Sequence, residues 1–286
     1  MKTGFIGLGS LGKAMANRLI AQGVDLIAWN RTQTKADDLN VEIAATPAEL
    51  ATRTEIIFLS LFGSDAVREV LQGENGLLAA DCHDKIIVDT TTNHYLSVMA
   101  FHEELTQRGA WYLEAPVLGS VVPAARGELV VLVSGQKPPF ETVRPLLEHL
   151  SRQIFYLEPP GLATKMKLVN NLVLGSFMVA IAEAIALAEH AGISRGSALD
   201  ILVAGAGNSA LLNAKKSKLL EENFAVQFSA ALIHKDLSYL EDLALSVRYP
   251  MLMEPVVKKL YDQCVAAGIQ DLDFSAVYKL LKSRRT

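Results

Sequence analysis

The chain has 286 residues, half of them hydrophobic, with 20% charged residues and a formal net charge of -4. That length allows two domains with sizeable cores, and the composition excludes a disordered or low-complexity chain. The mild negative charge leaves no basic footprint for nucleic acid, and the single basic cluster, Lys282, Arg284 and Arg285, reads as a solvated chain end.

The first half alternates short β-branched runs with helical stretches. Thr3–Ile6 reads as a strand, 13–22 as a helix with Met15, Leu19 and Ile20 on one face, and 25–29 as a second strand. Buried strands are expected at 56–61 and 86–88. A helix over 64–71 lies between them, opened by the N-cap types Ser64 and Asp65. Later strands are expected at 112–114, 129–134 and 153–156. Strands alternating with helices imply βαβ units and a parallel, doubly wound sheet. After Gly161 the pattern turns helical to the end, with breaks near Gly192, 205–208 and Pro250. The expected organisation is therefore α/β: an N-terminal Rossmann-type domain over 1–161, then an all-α domain over 162–286 that begins with a long helix.

Residues 168–191 are apolar enough to resemble a membrane span. They contain Asn170, Asn171 and Glu183, with His190 near the end, so a helix buried between domains or subunits is the expectation, with no membrane partner. The apolar stretch at the N-terminus is broken by glycines and followed by Lys13 and Arg18, unlike a signal peptide. Cys82 and Cys264 stand far apart, with no CxxC and no Cys/His ligand spacing. Reduced thiols in a cytoplasm, and no metal site, are expected.

Gly7-Leu8-Gly9-Ser10-Leu11-Gly12 is a GxGxxG that follows a strand and opens a helix, the context a dinucleotide requires. The first glycine permits the tight turn, the second lets the backbone approach a pyrophosphate, and the third allows close helix–strand packing. The second strand ends in Trp29-Asn30-Arg31-Thr32, without the acid that would bind ribose hydroxyls. Asn30, Arg31 and Thr32 are suited instead to a 2′-phosphate, so the expected cofactor is NADP, used as NADPH.

Hydride transfer needs a proton donor for the developing alkoxide. Lys167 and Asn171 are spaced i, i+4 and share one helix face. Lys167 is the candidate general acid and base, and Asn171 its partner in orienting substrate. Glu114-Ala115-Pro116-Val117-Leu118-Gly119-Ser120 is a strand end with a small-residue loop whose amides suit a carboxylate. Asp89-Thr90-Thr91-Thr92 follows another strand, at the edge where nucleotides bind.

Together these segments resemble the β-hydroxyacid dehydrogenase family, relatives of 6-phosphogluconate dehydrogenase. The resemblance runs nearly end to end and is closest to the glyoxylate/succinic semialdehyde reductases. It rests on Gly7 to Gly12, on Glu114 to Ser120 continuing through Pro123-Ala124 to Gly127-Glu128-Leu129, and on Gly161 to Asn171. The late motif His234-Lys235-Asp236-Leu237 and the run Asp271 to Val277 complete it. It implies Lys167 as the catalytic lysine and Asn171 as its substrate-binding partner. It also implies Leu118, Gly119 and Ser120 at the substrate, and Lys235, Leu61 and Thr92 at the cofactor; Lys165 is a candidate charge partner for a distal substrate carboxylate.

Four positions depart from the family pattern. Leu118 replaces a usual Ser, Ala163 a usual Gly, and Asn93-His94 an apolar-Pro pair. Losing the hydroxyl at Leu118 removes a donor to a substrate carboxylate, about 1–3 kcal/mol in a buried site. The leading expectation is an NADP-dependent oxidoreductase of a small aldehyde acid or its hydroxy acid. Reduction of an uncharged carbonyl or imine, and nucleotide binding without chemistry, are the alternatives. The long apolar helix suggests a homodimer or homotetramer.

Overall fold

The computed structural model describes residues 2–284. Its first compact unit is built on β1 (Thr3–Ile6), α1 (Ser10–Ala21), β2 (Leu26–Trp29), β3 (Glu42–Ile43), α2 (Pro47–Arg53), β4 (Ile56–Leu59), α3 (Ser64–Gln72), β5 (Ile86–Asp89), α4 (Tyr95–Gln107) and β6 (Trp111–Glu114). The six strands form one parallel sheet in the order β3-β2-β1-β4-β5-β6. Strand order reverses beside β1, so the carboxyl ends of β1, β2 and β4 open on the crevice where a doubly wound sheet binds its ligand. The central strands are buried along their whole length, hence their continuous apolar runs. One apolar cluster packs Met15 and Leu19 of α1 against Phe5, Phe58 and Val88. Another packs Leu50, Val67, Leu71 and Phe101 against Ile6, Ile57 and Ile87.

The remaining strands do not extend this sheet. After β6 the chain forms β7 (Val117–Leu118), α5 (Val121–Arg126), β8 (Leu129–Val133), α6 (Lys137–Leu150) and β9 (Ser151–Tyr156). β8 pairs antiparallel with β7 and parallel with β9 in a separate three-stranded sheet. Of the later strands expected from sequence, only the one at Trp111–Glu114 joins the parallel sheet. At α3 the N-cap is Gly63 rather than Ser64, because the Ser64 hydroxyl is engaged with Asn93 and the His94 amide.

The change in sequence character at Gly161 coincides with the start of α7 (Leu162–His190), and the two compact units divide further along that helix, between Lys167 and Leu168. The second unit is helical: the rest of α7, then α8 (Arg195–Ala204), α9 (Ala210–Glu221), α10 (Ala230–Ser246), α11 (Glu254–Ala266) and α12 (Val277–Lys282). By length and composition α7 is apolar enough to cross a membrane. Less than half of its most apolar stretch (44%) is buried within the chain, and Met166, Val169, Val173, Phe177 and Leu187 form an exposed apolar stripe. Of the basic tail, Arg285 lies outside the described residues.

One polar cluster organises the second unit. Lys215 and Asp273 form a buried ion pair at 2.8 Å. Asp273 also accepts from the amides of Gln227 and Ser275 and from the Ser275 hydroxyl. Burial works to raise the Asp273 carboxyl, but the Lys215 charge and these bonds outweigh it and hold the group below its ordinary range. Asp273→Ala strands the Lys215 charge in the core and is expected to cost about 3–5 kcal/mol in urea unfolding. A depressed carboxylate stabilises the fold above its unfolded value. The wild-type contribution is therefore full at neutral pH and is lost as pH falls below about 4 through the lowered folded value, a loss the variant lacks.

Candidate active site

The turn from β1 into α1 is built on its glycines. Gly7 has φ +98°, and a Cβ there would lie 2.2 Å from the Ser60 carbonyl oxygen. A Cβ at Gly12 would lie 2.0 Å from the Gly7 oxygen, so the third glycine is required by packing alone. Gly9 differs, since a Cβ there meets nothing within 4 Å. Gly9 is also the N-cap of α1 and brings no side-chain cap, and Ser10 and Leu11 open the helix. Open space over the positive end of a helix is what a pyrophosphate occupies, so the loop fits a dinucleotide.

Neighbouring side chains brace this loop. Asn30 Oδ1 accepts from the Leu8 amide at 2.8 Å, and Asn30 Nδ2 donates to the Thr32 carbonyl at 2.8 Å. Both polar ends of Asn30 thus serve the backbone, while Arg31 and Thr32 are exposed beside it. Leu61 is close to Gly7, and its amide donates to Thr91 Oγ1 at 3.0 Å.

The β5–α4 loop is fastened by bonds that sequence did not disclose, among residues it had singled out for other reasons and Tyr112, which it had not. Asp89, fully buried, accepts from the Thr91 amide, the Tyr112 hydroxyl and Asn93 Nδ2 at 2.8, 2.6 and 2.8 Å. Burial pushes its carboxyl above the ordinary range despite these bonds. Ser64 donates to Asn93 Oδ1 and accepts from the His94 amide, which ties this loop to the start of α3. Asn93-His94 is therefore a working substitution: Asn93 links the two loops and His94 caps α4 through Nδ1. Thr92, half-buried, lies in this fastened loop.

At the end of β6, Glu114 is buried, with 1% of its surface exposed. Its Oε1 accepts from the Gly161 amide and its Oε2 from the Thr164 amide, the latter at 2.7 Å. Ser134, just past β8, accepts from the Ala163 amide at 2.9 Å. Three donors at the start of α7, which have no partner within a helix, are thereby satisfied. Ala163 is fully buried in this arrangement. Half-buried Leu118 ends β7, Gly119 follows with φ +130°, and half-buried Ser120 is the N-cap of α5.

Lys167 follows one turn into α7 and is only 8% exposed. Lys165, half-buried, is about 200° from Lys167 around the helix and turns toward Gly161. Asn171, fully buried, shares the face of Lys167. Within the second unit Asn171 Nδ2 donates to Asp236 Oδ2 at 2.6 Å. The Lys235 ammonium lies 2.8 Å from Asp236 Oδ1 and above the Tyr239 ring. Asp236, 1% exposed, thus connects two expected site residues, Asn171 and Lys235. Its sequence signal was its place in the late motif His234-Lys235-Asp236-Leu237, which gave it no role of its own. Among the described residues no cluster of metal-ligating side chains occurs.

Residues 2–158 match the family model of the NAD binding domain of 6-phosphogluconate dehydrogenase. Residues 161–281 match that of the NAD-binding domain of NADP-dependent 3-hydroxyisobutyrate dehydrogenase. Glyoxylate/succinic semialdehyde reductase 2, chloroplastic, from Arabidopsis thaliana is 32% identical over 99% of this chain and 80% of that protein. Cytokine-like nuclear factor N-PAC from Gallus gallus is 33% identical over 97% of this chain, which spans 51% of that protein. Among solved structures, Psf3 in complex with NADP+ and 2-OPP superposes with a TM-score of 0.90 at 28% identity, over 98% of this chain and 99% of that one.

The glycine geometry separates two kinds of damage. Gly12→Ala forces backbone apart and is expected to lower stability by about 1–3 kcal/mol in thermal or urea unfolding. Gly9→Ala fills only open space, so stability should hold while dinucleotide affinity, measured by titration calorimetry, falls by about tenfold or more, 1.4 kcal/mol.

Proposed function

The chain belongs to the β-hydroxyacid dehydrogenase family, and on that premise we propose that it is an NADPH-dependent reductase of small aldehyde acids, of the glyoxylate or succinic semialdehyde type. The observation that carries the reading is Lys167, nearly buried one turn beyond a clamped helix start, with Asn171 on the same face. The relatives named as glyoxylate/succinic semialdehyde reductases support the substrate class. A preference for NADP is supported by the β2 end, where Arg31 stands exposed and no acid follows Trp29.

When bound, NADPH supplies a hydride to the carbonyl carbon. The amides at the start of α1 hold the pyrophosphate, and Arg31 and Thr32 take the 2′-phosphate through charge-assisted hydrogen bonds. Leu61 and Thr92 complete the cofactor contacts of the first unit. The amides of Gly119 and Ser120 hold the substrate carboxylate, and Lys165 serves a distal carboxylate where there is one. As charge develops on the carbonyl oxygen, Lys167 Nζ donates its proton and later regains one from solvent. Asn171 Nδ2 donates its remaining hydrogen to the same oxygen, its amide oriented by Asp236.

Lys167→Ala is expected to lower kcat for NADPH-linked reduction of succinic semialdehyde by about 10²–10⁴-fold. NADPH affinity, read by fluorescence titration, should change little, and retained turnover would remove Lys167 from the chemistry. Arg31→Asp is expected to raise KM for NADPH and improve NADH use. An unchanged ratio of kcat/KM for the two cofactors would place the 2′-phosphate elsewhere.

A further inference from the structure

We propose that Glu114 is a positioning residue for Lys167, acting through the first turn of α7 rather than as a substrate ligand. The inference rests on the reading of Lys167 as proton donor. Glu114 sits in the segment that the family resemblance assigns to substrate, and an acid there suggests a group that faces the reacting molecule. Its geometry is otherwise. The side chain is 1% exposed, and each carboxylate oxygen is engaged by a backbone amide of the helix start, Gly161 on Oε1 and Thr164 on Oε2.

Two oxygens on two amides three residues apart fix both the axial position and the rotation of the first turn. A negative charge at this end is also favoured by the helix dipole. Ser134 supplies a third anchor, on the Ala163 amide between them, from a different strand end. The helix ladder starts at this point, with the Lys165 amide donating to the Gly161 carbonyl. Lys167 lies three residues past Thr164, so a displaced first turn moves its ammonium directly. His102 approaches Glu114 Oε1 to 3.6 Å, and its buried Nε2 makes no hydrogen bond, so it takes no share of the clamp.

Glu114→Gln keeps the shape and one acceptor but turns an NH2 group toward an amide N–H, so one of the two anchors is lost along with the charge. Because misplacement of a reacting group by about 1 Å costs on the order of 100-fold, kcat for succinic semialdehyde should fall by about 10- to 100-fold. The KM values for NADPH and aldehyde should stay within about twofold of wild type, as for a group that binds neither. Hydrogen exchange at the 161–164 amides should accelerate, a readout independent of any substrate.

Three results would overturn the proposal: unchanged kcat, unchanged exchange at 161–164, or a raised aldehyde KM with kcat intact. If Glu114→Gln does not fold, Ser134→Ala decides by the same measurements, with a smaller fall in kcat and faster exchange at Ala163. Lys167→Ala run in parallel separates the two readings. An active Lys167→Ala removes the reading of Lys167, whereas an inactive one beside a fully active Glu114→Gln removes the positioning role alone.

Discussion

The start of α7 carries the main structural constraint on the site. A helix opens with amides that have no partner inside it, and here three go to side chains at two strand ends: Gly161 and Thr164 to Glu114, and Ala163 to Ser134. Because those strand ends are themselves fixed by sheet pairing, the helix begins in one register, and Lys167 takes its place one turn on by periodicity. Burying a carboxylate is costly in isolation. Two amide donors and the helix dipole offset that cost at Glu114.

Elsewhere the molecule repeats this device, a buried carboxylate that gathers backbone and side-chain donors from distant segments. Asp89 gathers Thr91, Asn93 and Tyr112 and so fixes the loop bearing Thr92. Asp236 gathers Asn171 and lies against Lys235. Asp273 gathers Lys215, Gln227 and Ser275 in the helical unit. None of these four carboxylates is placed to exchange freely with solvent. Glu114, Asp89 and Asp236 each hold a segment that bears an expected site residue, whereas Asp273 fastens the helical unit.

What the sequence made legible follows from where the signal lies. The turn of the glycine loop and the helix face shared by Lys167 and Asn171 were readable because spacing of three to five residues reports directly on a turn or a helix face. The continuous apolar runs of β1, β4 and β5 were readable because strands buried on both faces leave no alternation to misinterpret. The two-residue edge strand Glu42–Ile43 was not, since both residues are exposed and carry no pattern. Membership of β8 and β9 in a second sheet was not visible either, because period alone does not say which strands pair. Glu114 stood in a recognised motif, yet its role depends on an amide 47 residues away. Ser134 had no signal. Asn93 looked like a departure from the family pattern, and its purpose became clear only from the contacts to Asp89 and Ser64.

The most direct measurement is the absorbance of NADPH and of NADH in the presence of the purified protein and, separately, glyoxylate, succinic semialdehyde and a cyclic imine. Consumption of NADPH in preference to NADH, with one of the two aldehyde acids, is the expected result. Turnover confined to the imine would contradict the substrate class and make Leu118 the mark of a changed pocket. Bound NADPH with no turnover of any of them would contradict the assignment of Lys167 as a working proton donor.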